Sequence, residues 1–161
     1  MAGRLMEGML RGYAAAAPGE RAGFGMLSAF AGTVAVARAV NYGRERRRSA
    51  PTLRSFTRRA YHAPGSTQPR IHHFLPGMAL SFIAGAAAIV THDDGKELSL
   101  SILFGIGAGL VGDEIGLLIK ANNPYWSMER LALAQSALAA AGAGALAIRF
   151  RRRGAHGMPP A

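Results

Sequence analysis

The sequence predicts an all-α polytopic membrane protein: four transmembrane helices packed through small residues. Three observations predict it. Uncharged apolar runs recur along the chain, eighteen residues each at positions 74–91 and 131–148, and a helix needs roughly 17 to 25 such residues to cross a bilayer. Glycine (21 residues) and alanine populate these runs, and small residues let helices approach closely in lipid. The charges collect between the runs. Continuous apolar runs also exclude a β-barrel, whose strands alternate apolar and polar residues.

The elements follow in order. Residues 1–21 form an N-terminal segment in which Leu5, Met6, Met9, Leu10 and Tyr13 share one helical face. That pattern fits a helix lying in the membrane interface, and a frayed terminus fits it equally. The first span, 22–40, is the weakest, because Arg38 follows sixteen uncharged residues. Arg38 is expected to snorkel to the interface, with Tyr42 as an anchor beside it. Ala35-Val36-Ala37 has the small-x-small look of a cleavage site, but Arg38 to Tyr42 reads better as the end of a retained helix. The second span, 74–91, carries Pro76 in its first turn, where a missing N–H costs little. The third, 98–119, is uncharged apart from Asp113 and Glu114, and the fourth is 131–148. Residues 22–148 thus make a four-helix transmembrane domain with a basic loop at 43–70, and 149–161 a basic C-terminal tail. The glycines of the third span pair at small-xxx-small spacing, Gly105 with Gly109 and Gly112 with Gly116; Gly85, Gly142 and Gly144 are expected to act similarly in the other spans. Such stripes serve a tight single-chain bundle or the face of a homo-oligomer.

The charge balance argues for a membrane surface over nucleic acid. The net charge is +10, but it sits in loops, eight arginines between 43 and 70 among them. Nucleic-acid binding would want basic and aromatic residues on a folded face. The basic loop reads as a topology signal that also touches anionic lipid. The positive-inside rule places loop 43–70 in the cytoplasm of a bacterial inner membrane and the acidic loop at 92–97 outside. Arg149, Arg151, Arg152 and Arg153 resist this, since they follow the fourth span on the outer side. Cysteine is absent, which excludes disulfides, thiolate metal sites and cysteine nucleophiles.

The candidate site is a cluster of histidine and acid. Asp113 and Glu114 lie inside an apolar span, where a carboxylate is costly and marks a functional-site hypothesis. His72 and His73 open the second span at the boundary where the third span ends. Asp113 lies roughly 9 Å below that boundary at 1.5 Å per residue. Arg38 and the pair Tyr125-Trp126 belong to the same boundary. Imidazole and carboxylate suit a divalent metal such as Zn²⁺, Fe²⁺ or Mn²⁺, with His72, His73, Asp113 and Glu114 as its ligand set. Neighbouring residues on a helix point about 100° apart, so one member of each pair would ligate and the other support it. Three readings stay open: hydrogen-bonded helix packing with Arg38 neutralising a carboxylate, a metal-dependent hydrolase of a lipid-linked substrate, and a proton or ion pathway. The last needs a polar track across the bilayer, for which Ser81 and Ser101 give thin support. HEXXH, Gly-x-Ser-x-Gly and P-loop motifs are absent. His62 and His156 read as exposed, and His92-Asp93-Asp94 as a solvated loop.

Arg70-Ile71-His72-His73-Phe74-Leu75-Pro76-Gly77, then Asp113-Glu114, then Tyr125-Trp126-Ser127, resembles the pattern of a group of uncharacterised bacterial integral membrane proteins, chiefly actinobacterial. The resemblance covers about residues 22–148. It implies a helical inner-membrane protein in which His72, His73, Asp113 and Glu114 form a shared site; it implies no reaction or substrate.

Overall fold

The computed structural model describes residues 2–49, 73–91, 93–119 and 129–156. They are all-helical apart from short turns: α1 (Ala2–Ala14), α2 (Pro18–Ser49), α3 (Phe74–Thr91), α4 (Asp94–Ile119) and α5 (Glu129–His156). Four stretches are long and apolar enough to cross a membrane: Pro18–Gly43, Phe74–Thr91, Gly95–Ile115 and Arg130–His156. The chain is a multi-pass helical membrane protein.

Local chemistry sets the helix starts. Pro18 opens α2 at its first position, and Glu20 reaches back so that its Oε2 accepts from the Ala17 N–H at 3.3 Å. That contact is half of a capping box. Asp93 caps α4, its Oδ1 accepting from the Gly95 N–H at 2.9 Å while Lys96 Nζ stands 3.2 Å from its other oxygen. The Lys96 ammonium, then the Gly95 N–H, hold the Asp93 carboxyl below the usual aspartate range. A native carboxyl with a lowered pKa stabilises the fold above its unfolded value, and that contribution is lost as pH falls through the native value. Asp93→Asn is therefore expected to flatten the loss of thermal stability of the purified protein below about pH 4. An identical acid limb in the variant would refute this role.

The helices pack α3 on α4, α4 on α2, α2 on α5 and α5 on α1, with a smaller contact between α4 and α5. Glycine sets the spacing. A Cβ at Gly109 would lie 2.8 Å from Thr33 Cβ and 3.0 Å from the Phe30 carbonyl oxygen, and one at Gly105 would collide with the Met26 carbonyl. The Gly105/Gly109 pair is thus the seam between α4 and α2. Gly107 faces the other way, where a Cβ would stand 2.6 Å from the carbonyl oxygen of Gly77 on α3. Close approach through small residues is the main packing device available in lipid, where apolar burial supplies no driving force between helices. Gly142 meets Leu27, but Gly144 has open space where its Cβ would be, so its expected packing role is not found. Gly116 has no described surroundings.

Two ends of the chain differ from the sequence reading. The basic segment after Ile148 does not leave the bundle: α5 continues to His156. At about 42 Å for 28 residues, α5 exceeds the roughly 30 Å hydrocarbon core. The N-terminal segment packs on that extension as α1. Added Cβ atoms at Gly12 and Gly154 would collide with the carbonyls of Phe150 and Gly8. Tyr13, Phe24 and Phe150 meet edge to face at centroid distances of 5.5–6.2 Å, the favoured geometry for aromatic pairs. Glu20 pairs with Arg149 and Arg153 at 2.8 Å each. Leu5, Met6 and Leu10 stay exposed on α1. Gly12→Leu is expected to free α1 from α5, seen as proteolytic removal of α1 while the other helices stay protected. Unchanged cleavage would show that α1 is held some other way. At the opposite face, α2 continues through Ser49, so the first part of the basic stretch is helical.

Candidate functional site

The site forms where α2, α3 and α4 meet. Asp113 and Glu114 sit on α4, one to about two turns beyond the glycines that bring α4 against both neighbours. Both are buried, at 4% and 7% exposure. Arg38 is buried with them at 3%, which corrects its expected snorkelling. It turns inward because an uncompensated carboxylate at that depth costs more than removing the guanidinium from the interface. Arg38 Nε stands 2.5 Å from Asp113 Oδ1, and its Nη2 donates to the Asp113 backbone carbonyl at 3.0 Å.

His73 lies just before α3 and joins both acids. Its Nε2 is 3.2 Å from Asp113 Oδ2, and its Nδ1 is 2.9 Å from Glu114 Oε1. The other oxygen of Glu114, Oε2, accepts from the Phe74 N–H at 2.8 Å. That N–H is one of the unpaired donors of a helix start, so a side chain from α4 caps α3 and places its negative charge at the positive end of the helix. Gly77 N–H bonds the His73 carbonyl at 2.9 Å, and Pro76 has no N–H to satisfy. The local sequence thus leaves few donors for Glu114 to meet.

The hydrogen count of this arrangement is informative. A neutral imidazole carries one N–H, and its other nitrogen presents a lone pair. With both carboxyls ionised, that lone pair would face a carboxylate oxygen. One additional proton, on the imidazole or on a carboxyl, removes the repulsion. If the imidazole holds it, the four side chains balance as two positive and two negative charges. The His73 side chain is 32% exposed, against none for Asp113, so His73 forms the outer edge of the cluster.

Of the four residues expected as metal ligands, the structure brings His73, Asp113 and Glu114 together; His72 lies outside the described residues. Among the described residues no group of three or more His, Cys, Asp or Glu side chains is arranged to hold a metal ion. The contacts within the cluster explain this. Each nitrogen of His73 faces a different carboxylate, and Asp113 divides its oxygens between Arg38 and His73. Donors turned toward each other and toward a cation do not converge on a common point. The boundary residues Tyr125 and Trp126, and also His62 and His92, fall outside the described residues. Ser81 and Ser101 do not continue a polar track. Their hydroxyls donate to the backbone carbonyls of Phe104, at 3.4 Å, and Leu98, at 2.7 Å.

Beside the cluster, an apolar groove of about 630 Å³ opens along α4 between α3 and α5. Met78 and Ile89 of α3, Phe104 and Ile115 of α4, Phe30 of α2 and Gln135 of α5 are among its walls. No sequence signal marked it, because its walls come from four helices and are almost all apolar. No family model, curated protein or solved structure matches the chain.

Proposed function

We propose that this chain is a bacterial inner-membrane protein whose Arg38–Asp113–His73–Glu114 cluster is a structural clamp, locking α2, α3 and α4 together at the cytoplasmic face. The observation that carries the reading is His73 facing two carboxylates at once while Arg38 holds the remaining oxygen of Asp113. Each ionisable side chain then faces a complementary one from another segment, which is how such groups are tolerated at membrane depth. The eight arginines between 43 and 70 support the cytoplasmic assignment of this face, and they suit anionic lipid there. The resemblance of Ile71-His72-His73-Phe74 and Asp113-Glu114 to the bacterial group supports the same cluster as its shared feature.

The test joins elemental analysis to thermal unfolding, on detergent-purified wild type beside His73→Ala. The clamp predicts a lower Tm for the variant and no metal in either protein. Near-stoichiometric metal in wild type, lost in His73→Ala, would overturn it in favour of a metal centre. An unchanged Tm would also overturn it.

A further inference from the structure

The end of the bundle away from the clamp joins unpaired arginines to an exposed apolar strip. The apolar run of α5 stops at Ile148, yet the helix continues to His156. At 1.5 Å per residue, Arg151 and Arg152 lie about 5–6 Å beyond that boundary. The polar layer on each side of a roughly 30 Å hydrocarbon core is about 5–7 Å deep, so these two side chains stand at headgroup level. Glu20 takes Arg149 and Arg153, and Glu7 takes Arg11. Arg4, Arg151 and Arg152 are exposed and have no ion pair among the described residues. The helix α1 crosses α5 at the same level, Gly12 against Phe150 and Gly8 against Gly154. Its Met9 and Tyr13 turn partly inward, whereas Leu5, Met6 and Leu10 stay 49–58% exposed.

We infer that α1 and the end of α5 form a binding surface for anionic phospholipid, with Leu5, Met6 and Leu10 at the boundary of headgroups and acyl chains and Arg4, Arg151 and Arg152 on the phosphates. The two features select this occupant together. An apolar strip on a helix held at headgroup depth is the arrangement of an interfacial helix, and guanidinium groups beside it attract anionic headgroups. A free anion would answer the arginines and leave the strip in water. A second copy would cover the strip but bring the same unpaired arginines toward each other, which is repulsive. The arginines that run against the positive-inside rule thus have a task on their own face. This inference does not rest on the clamp: Arg38 lies eighteen residues along α2 from Glu20, about 27 Å away.

Local fluorescence quenching in proteoliposomes of the full chain tests it. The chain has no cysteine, so Met6→Cys carries a single NBD fluorophore in the strip. Phosphatidylglycerol or phosphatidylcholine, each bearing a nitroxide high on one acyl chain, serves as quencher in a phosphatidylcholine bilayer. Quenching at Met6→Cys is expected to favour phosphatidylglycerol by about fivefold or more, the effect of one arginine near an anionic surface. Adding Arg4→Gln/Arg151→Gln/Arg152→Gln should bring the preference close to one while circular dichroism shows the helices intact. The same label at Phe82→Cys, on the exposed side of α3, should show no preference. Equal quenching by the two lipids at Met6→Cys would overturn recognition of the anionic headgroup. A preference kept by the arginine variant, or equally strong at Phe82→Cys, would overturn these arginines as the site. Quenching by neither lipid would place the strip away from the bilayer, and self-quenching between labelled chains would then make it an interface between copies.

Discussion

Asp113→Ala is expected to cost the protein about 3–5 kcal/mol, the magnitude for removing one member of a buried ion pair and leaving the other uncompensated. Arg38 is the member left behind. It is 3% exposed, and its guanidinium lies 2.5 Å from the lost carboxylate. Restoring water to Arg38 requires α2 and α4 to separate, which would also break the Gly105/Gly109 seam. The informative companion is the double variant Arg38→Leu/Asp113→Leu. An apolar pair of similar volume removes both desolvation costs and often equals or exceeds a buried ion pair in stability. The double variant should therefore recover most of the loss, leaving His73 opposite Glu114 alone. Reversible denaturation in mixed detergent micelles reads both changes. A single variant within about 1 kcal/mol of wild type would mean the pair is solvated, and a double variant as unstable as Asp113→Ala would mean that the pair itself, not its balance, holds the helices.

Gly105→Leu should have a comparable effect by a different cause. A Cβ at Gly105 collides with the Met26 carbonyl and lies 3.1 Å from Ala29 Cβ. The obstacle is backbone, which cannot rotate aside as a side chain can. Overpacking usually costs about 1–3 kcal/mol, and a backbone collision at the central seam belongs at or above the upper end of that range. The rest of the leucine side chain would then push α4 away from α2 along the same face as Gly109. Gly144→Leu is the matched control. It places the same side chain in another span where nothing lies within 4 Å, and it should change stability by less than about 0.5 kcal/mol. Equal losses at both positions would show that leucine acts through the unfolded state or through helix propensity, not through the α2–α4 contact.

Both predictions use residues that were conspicuous before the fold was known, but for reasons that only partly carried over. Asp113, Glu114 and His73 stand out because ionisable groups are rare in apolar spans, and the topology alone returns the start of α3 to the end of α4. Which atom meets which is a different matter. Arg38 reads as the ordinary snorkelling end of a short span, and only the depth of its partner, together with the closeness of α2 and α4, turns it inward. Glu114 as the cap of α3 was not legible at all, because a cap supplied by another helix leaves no local spacing to detect. The metal reading followed from residue types alone. Residue type does not say whether donors converge on one point or face each other, and here His73 faces the two acids in turn. The crossing of Gly8 and Gly12 with Gly154 is hidden for a related reason: Gly154 is far from the other two in sequence, and all three lie outside the uncharged apolar runs.

The sequence by itself determined the class and the layout of this protein. Bilayer thickness imposes span length, and backbone hydrogen bonding in lipid imposes helices, so four apolar runs and the charges between them suffice to write the topology. Tertiary structure decided what those physical limits leave free. It chose the order α3–α4–α2–α5–α1, the docking of α1 on the extended α5, the partners of each charge, and the groove with Gln135 in its wall. These depend on which helix faces meet, and in a chain whose spans are apolar all round, no hydrophobic stripe announces the meeting face. Glycine positions and a few buried charges decide it, through contacts of a few ångströms that one-dimensional spacing does not encode.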